Sequence, residues 1–293
     1  MRTSALAAYL VTGASDGIGV TTAKNMAAKG YDVLIHGRDA GRIDRAEKQI
    51  ISFAEEGSCR IFSLPPADLS TIEGCKQLAK DVETLCDEND LQLSVLMNNA
   101  GVFNEKLITT SDAALEQTFA VNVLAPFVIT SHLLPLLLKQ KSRIVLASSI
   151  SQCQSIRDWD GLHYSRRLCS AHGAYSESKL LDAMLTIEMA ARFQQAGIDV
   201  DRITCNCLDP GTVNTKMLLA GWGPCGINVE DALDQTWLCS SDEVEDVTGK
   251  YFNSRSERRA SSSAYEQTER NRLWSVLSSL APEAADMWTF GCL

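Results

Sequence analysis

The sequence predicts an α/β fold: a doubly wound parallel sheet of about seven strands with helices on both faces, in a single domain. Three observations carry that expectation. Short β-rich runs alternate with helix-like stretches along the 293 residues, and repeated βα units imply parallel strands joined by right-handed crossovers. The runs Val33-Leu34-Ile35 and Ile144-Val145-Leu146 are continuously apolar, as strands covered on both faces must be. A glycine-rich turn at residues 12–19 stands at the first strand-to-helix junction.

Taken in order, strands are expected at 9–12, 31–36, 60–64, 93–98, 143–148, 202–208 and 250–252. Helices are expected near 18–29, 40–56, 71–88, 112–138, 173–196 and 229–239. The longest apolar run, 121–138, is interrupted by Asn122, Pro126, Thr130, Ser131, His132 and Pro135. It therefore reads as a buried helix rather than a membrane span. Two stretches break the rhythm. Residues 150–172 form a polar insertion carrying Trp159, Leu162, Tyr164, Arg166, Arg167 and Leu168, and its apolar members are candidates for a lid over a pocket. Residues 254–293 form a polar tail with an amphipathic helix expected around 266–280. With no Gly/Pro linker between them, 1–253 is expected to be the catalytic and dinucleotide-binding unit, with 254–293 packed on it.

Composition narrows the function classes. Apolar residues make up 45% and charged residues 22%, with a net charge of -10. That is ordinary globular composition, and so acidic a chain is repelled by phosphate backbones, which argues against nucleic-acid binding. The ten cysteines include no CxxC pair, so neither a metal site nor a disulfide framework is expected. No signal peptide, membrane anchor or glycosylation sequon is legible, and the expected location is cytoplasmic.

The turn at 12–19 reads Thr-Gly-Ala-Ser-Asp-Gly-Ile-Gly, with glycines at 13, 17 and 19. Glycines let such a turn close tightly and let a pyrophosphate approach the backbone. The helix that follows offers free N–H groups and a positive dipole end. The second strand ends His36-Gly37-Arg38. A site selective for NAD carries an acid there to hold the ribose 2′-hydroxyl. Gly37 takes that place, and the guanidinium of Arg38 suits a 2′-phosphate. NADP(H) is therefore the expected cofactor, with Asp16 and Asp39 as nearby charges that oppose it.

Tyr175-Ser176-Glu177-Ser178-Lys179 puts a phenol and an ammonium four residues apart on one helix face. A free phenol, with pKa near 10, is a poor base at neutral pH, and a neighbouring cation lowers that value. A phenol so tuned can exchange the alcohol proton during hydride transfer. Ser149, the run 98–101 (Asn-Asn-Ala-Gly) and the turn from Asp209 to Thr215 all leave strands at the carboxyl edge, where open α/β sheets bind ligands. Asn122 is a polar residue inside the apolar helix and needs partners.

Together these motifs resemble the short-chain dehydrogenase/reductase family over about residues 5–253: TGASDGIG (12–19), Asp68-Leu69, NNAG (98–101), Asn122, Ser149, YSESK (175–179) and PGTVNT (210–215). The resemblance implies a Rossmann-type fold and a nicotinamide cofactor. It implies that Gly13, Ser15, Asp16, Gly17, Ile18 and Gly19 line the pyrophosphate, Arg38 the 2′-phosphate, and Asp68 and Leu69 the adenine. Asn99, Ala100 and Gly101 would line the nicotinamide ribose, and Pro210, Gly211, Val213 and Thr215 the carboxamide side. Tyr175 would be the acid/base, Lys179 its activator, Ser149 the substrate-oxygen donor and Asn122 support for a proton relay. Ser149 and Tyr175 lie 26 positions apart, about twice the common family spacing. That insertion, with the tail, resembles the retinol dehydrogenase-like branch. The implied activity is interconversion of a carbonyl and an alcohol on a small hydrophobic or aromatic substrate. A non-catalytic NADP(H)-sensing protein and a reductase of conjugated double bonds are the alternatives. By family analogy the helices near 112–138 and 173–190 suggest a homodimer.

Overall fold

The computed structural model describes residues 6–55, 57–111, 114–163 and 170–290. Strands β1 (Leu6–Val11), β2 (Asp32–Ile35), β3 (Ile61–Ser63), β4 (Leu91–Asn98), β5 (Ser142–Ala147), β6 (Ile203–Asp209), β7 (Tyr251–Asn253) and β8 (Ser256–Arg258) form one sheet ordered β3-β2-β1-β4-β5-β6-β7-β8. The first seven run parallel, and β8 returns antiparallel through a hairpin. The chain order reverses between β1 and β4, and that switch point opens the crevice at the strands' carboxyl ends.

The helices are α1 (Gly17–Ala28), α2 (Ala40–Ile51), α3 (Ile72–Asn89), α4 (Gln117–Phe119), α5 (Ala125–Leu137), α6 (Ala171–Gln195), α7 (Lys216–Gly221), α8 (Asp234–Ser240), α9 (Gln267–Leu280) and α10 (Pro282–Asp286). Their starts follow local chemistry. Asp16, Asp39, Thr71, Ser170 and Thr215 each place a side-chain oxygen on an N–H of the first turn, where four donors are otherwise unpaired. Between α4 and α5, Ala120–Leu124 forms a π-helical turn. Pro126 has no N–H to offer the carbonyl four residues back, which is one physical reason the ordinary ladder fails at Asn122.

Two apolar clusters flank the sheet. One lies under α1, α2 and α8, with Val11, Val33, Ile35, Met97 and Leu208 from the strands. The other joins α3, α5 and α6 to the tail, where Leu273, Trp274, Leu277 and Trp288 pack with Phe127 and Phe193. The 117–137 stretch is apolar and long enough to cross a membrane by composition, yet 89% of its 18-residue apolar window is buried inside the fold, as the interrupted run predicts. α5 and α6 bury their apolar residues within the chain, so their composition gives no reason for an interface between copies.

The insertion departs from the lid expected of it. Trp159 and Leu162 are buried in the tail-side cluster, and the Trp159 indole donates to Glu269 of α9 at 3.0 Å. Gln152 accepts from the Ser261 backbone at 2.9 Å, and Ser263 donates to the Gln154 carbonyl at 2.8 Å. The described part of the insertion is thus pinned to the tail; Tyr164, Arg166, Arg167 and Leu168 lie outside the described residues. Both free sheet edges are short. β8 presents exposed Ser256, Glu257 and Arg258, and β3 runs into Pro65-Pro66.

Candidate active site

A cavity of about 670 Å³ opens along the carboxyl ends of β1, β2, β4 and β5. Its first wall is the 12–19 turn. Gly13 has φ +66, and a Cβ there would stand 2.9 Å from the Ala100 backbone. A Cβ on Gly19 would run into the Gly13 carbonyl oxygen. Only hydrogen lets the two loops approach this closely. Thr12 ties them together, its hydroxyl accepting from the backbone N–H groups of Asn99 and Ala100 at 3.0 Å each. His36 holds the turn from behind. Its Nδ1 accepts from Gly13 N at 3.3 Å and its Nε2 faces the Ala67 carbonyl at 3.0 Å. Burial lowers its pKa, so the ring is neutral and the Ala67 contact selects the Nε2–H tautomer.

At the β2 end, Arg38 and Arg42 both reach the cavity and are exposed. The acids that oppose them in the sequence are already engaged. Asp39 caps α2 through Arg42 N at 2.8 Å, and Asp16 caps α1 while pairing with Lys216. Asp68 and Leu69 line the same end.

At the far end stand Tyr175 and Lys179, carried by the first three turns of α6. The Lys179 ammonium lies 5.5 Å from the Tyr175 ring centroid and donates to the Ala147 carbonyl at 2.8 Å and to Asp182 at 2.9 Å. Ser149 stands near the phenol and favours its ionised form, while its Oγ accepts from Ser151 N at 3.1 Å. Burial raises the Tyr175 pKa, Lys179 pulls it back, and Asp182 raises it again, so the phenol stays protonated at neutral pH. Asp209 grips this corner from β6, accepting from Asn253 at 2.7 Å, and burial raises its pKa against the pull of the nearby Ile150 and Gly211 backbones and of Asn253.

The structure gathers Gly13, Ser15, Asp16, Gly17, Ile18, Gly19, Asn99, Ala100, Gly101, Pro210 and Thr215 around the cavity, as the motifs imply. Ser149, Gly211 and Val213 are set back from its lining, Val213 being buried and bridged to Ile227. Asn122 is also behind the wall. Its amide accepts from Val102 N at 2.8 Å and donates to the Val102 carbonyl at 3.1 Å and to Ser178 at 3.0 Å. It brackets the loop after β4 against α6.

Three features escaped the sequence reading. Phe103, His172 and Trp222 form an aromatic wall beside Tyr175, with Trp222 at 5.4 Å and Phe103 at 5.9 Å from its ring centroid. Gln235 joins Asn99 (3.0 Å) to Thr22 (2.8 Å) and lines the cavity. Asp182 pairs with Lys179. Only Asp182 had a signal, as an acid three residues from the lysine on the same helix.

The short chain dehydrogenase family model matches residues 7–220, most of the chain and all of these segments up to α7. The chain belongs to the short-chain dehydrogenase/reductase family. Within it the chain is retinol dehydrogenase-like. It is 31% identical to polyprenol dehydrogenase of Mus musculus, covering 90% of this chain and 81% of that one. It is 30% identical to human retinol dehydrogenase 14, covering 91% and 84%. Among solved structures, an uncharacterized protein from Mycobacterium paratuberculosis shares the fold at TM-score 0.74 and 24% identity over 94% of this chain and 93% of that one. A short chain dehydrogenase from Shigella flexneri, solved with NADP, matches at TM-score 0.64 and 27% identity over 85% and 97%. As a short-chain dehydrogenase/reductase the chain is an oxidoreductase of alcohol or carbonyl groups, and its fold implies a nicotinamide cofactor.

Proposed function

We propose that this chain interconverts a carbonyl and an alcohol on a small hydrophobic or aromatic substrate with NADP(H), using Tyr175 as acid/base. The pairing of Tyr175 with Lys179 at one end of a dinucleotide-sized cleft, with Ser149 set just behind, carries the reading. Nicotinamide supplies or accepts the hydride when bound. In reduction the Tyr175 O–H gives its proton to the substrate oxygen, and the Ser149 hydroxyl holds that oxygen by a hydrogen bond. In oxidation the phenolate takes the proton back. Lys179 stabilises the phenolate and would also hold the ribose hydroxyls of the bound dinucleotide.

The phosphate preference rests on the β2 end. A side chain at position 37 would be crowded, since a Cβ on Gly37 would meet Ser15 Oγ at 2.7 Å. No ribose-binding acid stands at position 37, while Arg38 and Arg42 offer guanidinium groups for a 2′-phosphate. The substrate class rests on the wall of Phe103, His172 and Trp222, which suits a flat or apolar body. The core packing of Leu273, Trp274, Leu277 and Trp288 supports residues 254–293 as part of the same unit. The eight described cysteines are free thiols, which fits a reducing, cytoplasmic setting. A homodimer is part of this reading by family analogy alone.

Two experiments test it. Titration of nicotinamide fluorescence should give NADPH at least about tenfold tighter than NADH, a difference of about 1.4 kcal/mol. Preference for NADH removes the Arg38 assignment. Aromatic and aliphatic aldehydes and ketones should be reduced with NADPH; tight NADPH binding without turnover of any carbonyl favours a sensing protein instead.

A further inference from the structure

The ammonium of Lys179 does not stand alone. Asp182, three residues along α6, is 1% exposed and places Oδ2 at 2.9 Å from Lys179 Nζ. Its other oxygen, Oδ1, is buried and has no hydrogen-bond partner among the described residues. A half-satisfied buried ion pair is a poor stabilising device, because desolvation of both charges offsets their attraction. A neutral side chain would fill the same place with less desolvation. What only a carboxylate contributes is negative charge against the lysine, one helical turn from the phenol.

We propose that Asp182 is a positioning residue of the reacting centre: it holds the Lys179 ammonium against the Ala147 carbonyl and offsets its charge, so that Tyr175 stays protonated and poised to donate. The inference rests on the Ser149–Tyr175–Lys179 reading above. The charged and titratable groups around the phenol are few. From α6 come Lys179 and Asp182, and from β6 comes Asp209. Cys207 of β6 faces both Lys179 and Asp182. His172 packs on Phe103 and Trp222, the two rings that touch Tyr175. The π-helical turn contributes the neutral Asn122, through Ser178.

The directions agree with this arrangement. Burial works against the charge of Lys179, but Asp182 and Tyr175 overcome it and its pKa is raised. Burial pushes Asp182 up to about 6 against the pull of Lys179, so it is ionised at neutral pH and above. Removing its charge leaves Lys179 unopposed beside the phenol, and the phenolate becomes easier to form.

The test needs no turnover. Protein labelled with ¹³C at tyrosine Cζ reports phenol ionisation for each of the six tyrosines, and Tyr175→Phe identifies the resonance. Asp182→Asn keeps the shape and removes the charge; Asp182→Ser serves if that variant does not fold. The expected result is a Tyr175 midpoint lower by about one unit or more in the neutral variant. A wild-type resonance that stays protonated to the alkaline limit of the fold while the variant titrates gives the same answer. Midpoints that coincide, or two resonances both protonated to that limit, overturn the proposal. Where alcohol oxidation is measurable, the acid limb of its pH profile moves to lower pH by the same amount, whereas a merely structural Asp182 would lower kcat at every pH and leave the limb in place. Failure of the oxidoreductase reading shows separately, as wild-type protein that turns over no carbonyl or alcohol.

Discussion

The two ends of the cleft are built on opposite plans. The phosphate end is made of backbone and of missing side chains: Gly13 and Gly19 pressed against neighbouring main chain, an α1 N-terminus, and a neutral His36 holding the turn. The reacting end is made of side chains, with Lys179 held by Asp182 and by the Ala147 carbonyl of β5, its ammonium beside the Tyr175 ring, Ser149 close by and Asn122 bracing α6 through Ser178. The first plan tolerates no added atom. The second tolerates changes of size but not of charge or proton inventory.

That contrast can be broken experimentally. The largest effect belongs to the reacting end. Tyr175→Phe should lower kcat by about 10²–10⁴-fold, the scale of a lost acid/base, while NADPH affinity stays within about twofold of wild type. Turnover near the wild-type rate would sink the acid/base assignment. The same phenol sets the pH response. Its raised pKa means that oxidation, which needs phenolate, should climb about tenfold per pH unit through the neutral and mildly alkaline range. Reduction, which needs the phenol, should be flat there and fall only above the raised value. At the phosphate end, Gly19→Ala forces a methyl onto the Gly13 carbonyl. It should cost about 1–3 kcal/mol, read as a lower Tm and dinucleotide binding weakened about tenfold or more. Unchanged binding would refute the backbone-built account. The smallest effect tests the joint between the ends. Gln235→Ala removes the bridge from Thr22 to Asn99 and should lose about 1 kcal/mol of stability by denaturant titration.

The difference between the ends also explains what the sequence revealed. The phosphate turn is eight contiguous residues whose glycine spacing states its geometry, so it is legible without a fold. The strands are legible because both-face burial leaves continuous apolar runs. β8 left no such mark, being three exposed polar residues, and α7 buries no residue, so it has no apolar period to read. The aromatic wall was invisible for another reason. Phe103, His172 and Trp222 come from three separate segments, and nothing local ties them to Tyr175. The insertion misled through composition: Trp159 suggests a lid, but its partners, Glu269 and Arg272, lie in the tail, more than a hundred positions away.

The two blunt margins of the sheet have a consequence for the protein at high concentration. A parallel sheet invites strand-by-strand growth wherever an edge offers unpaired amides. Here one margin is a three-residue charged hairpin strand, with Lys250 paired to Glu257, and the other runs at once into two prolines that carry no amide hydrogen. Fibrillar stacking through either margin is frustrated from the first added strand. Concentrated solutions should therefore resist amyloid-type growth until the native sheet itself has melted.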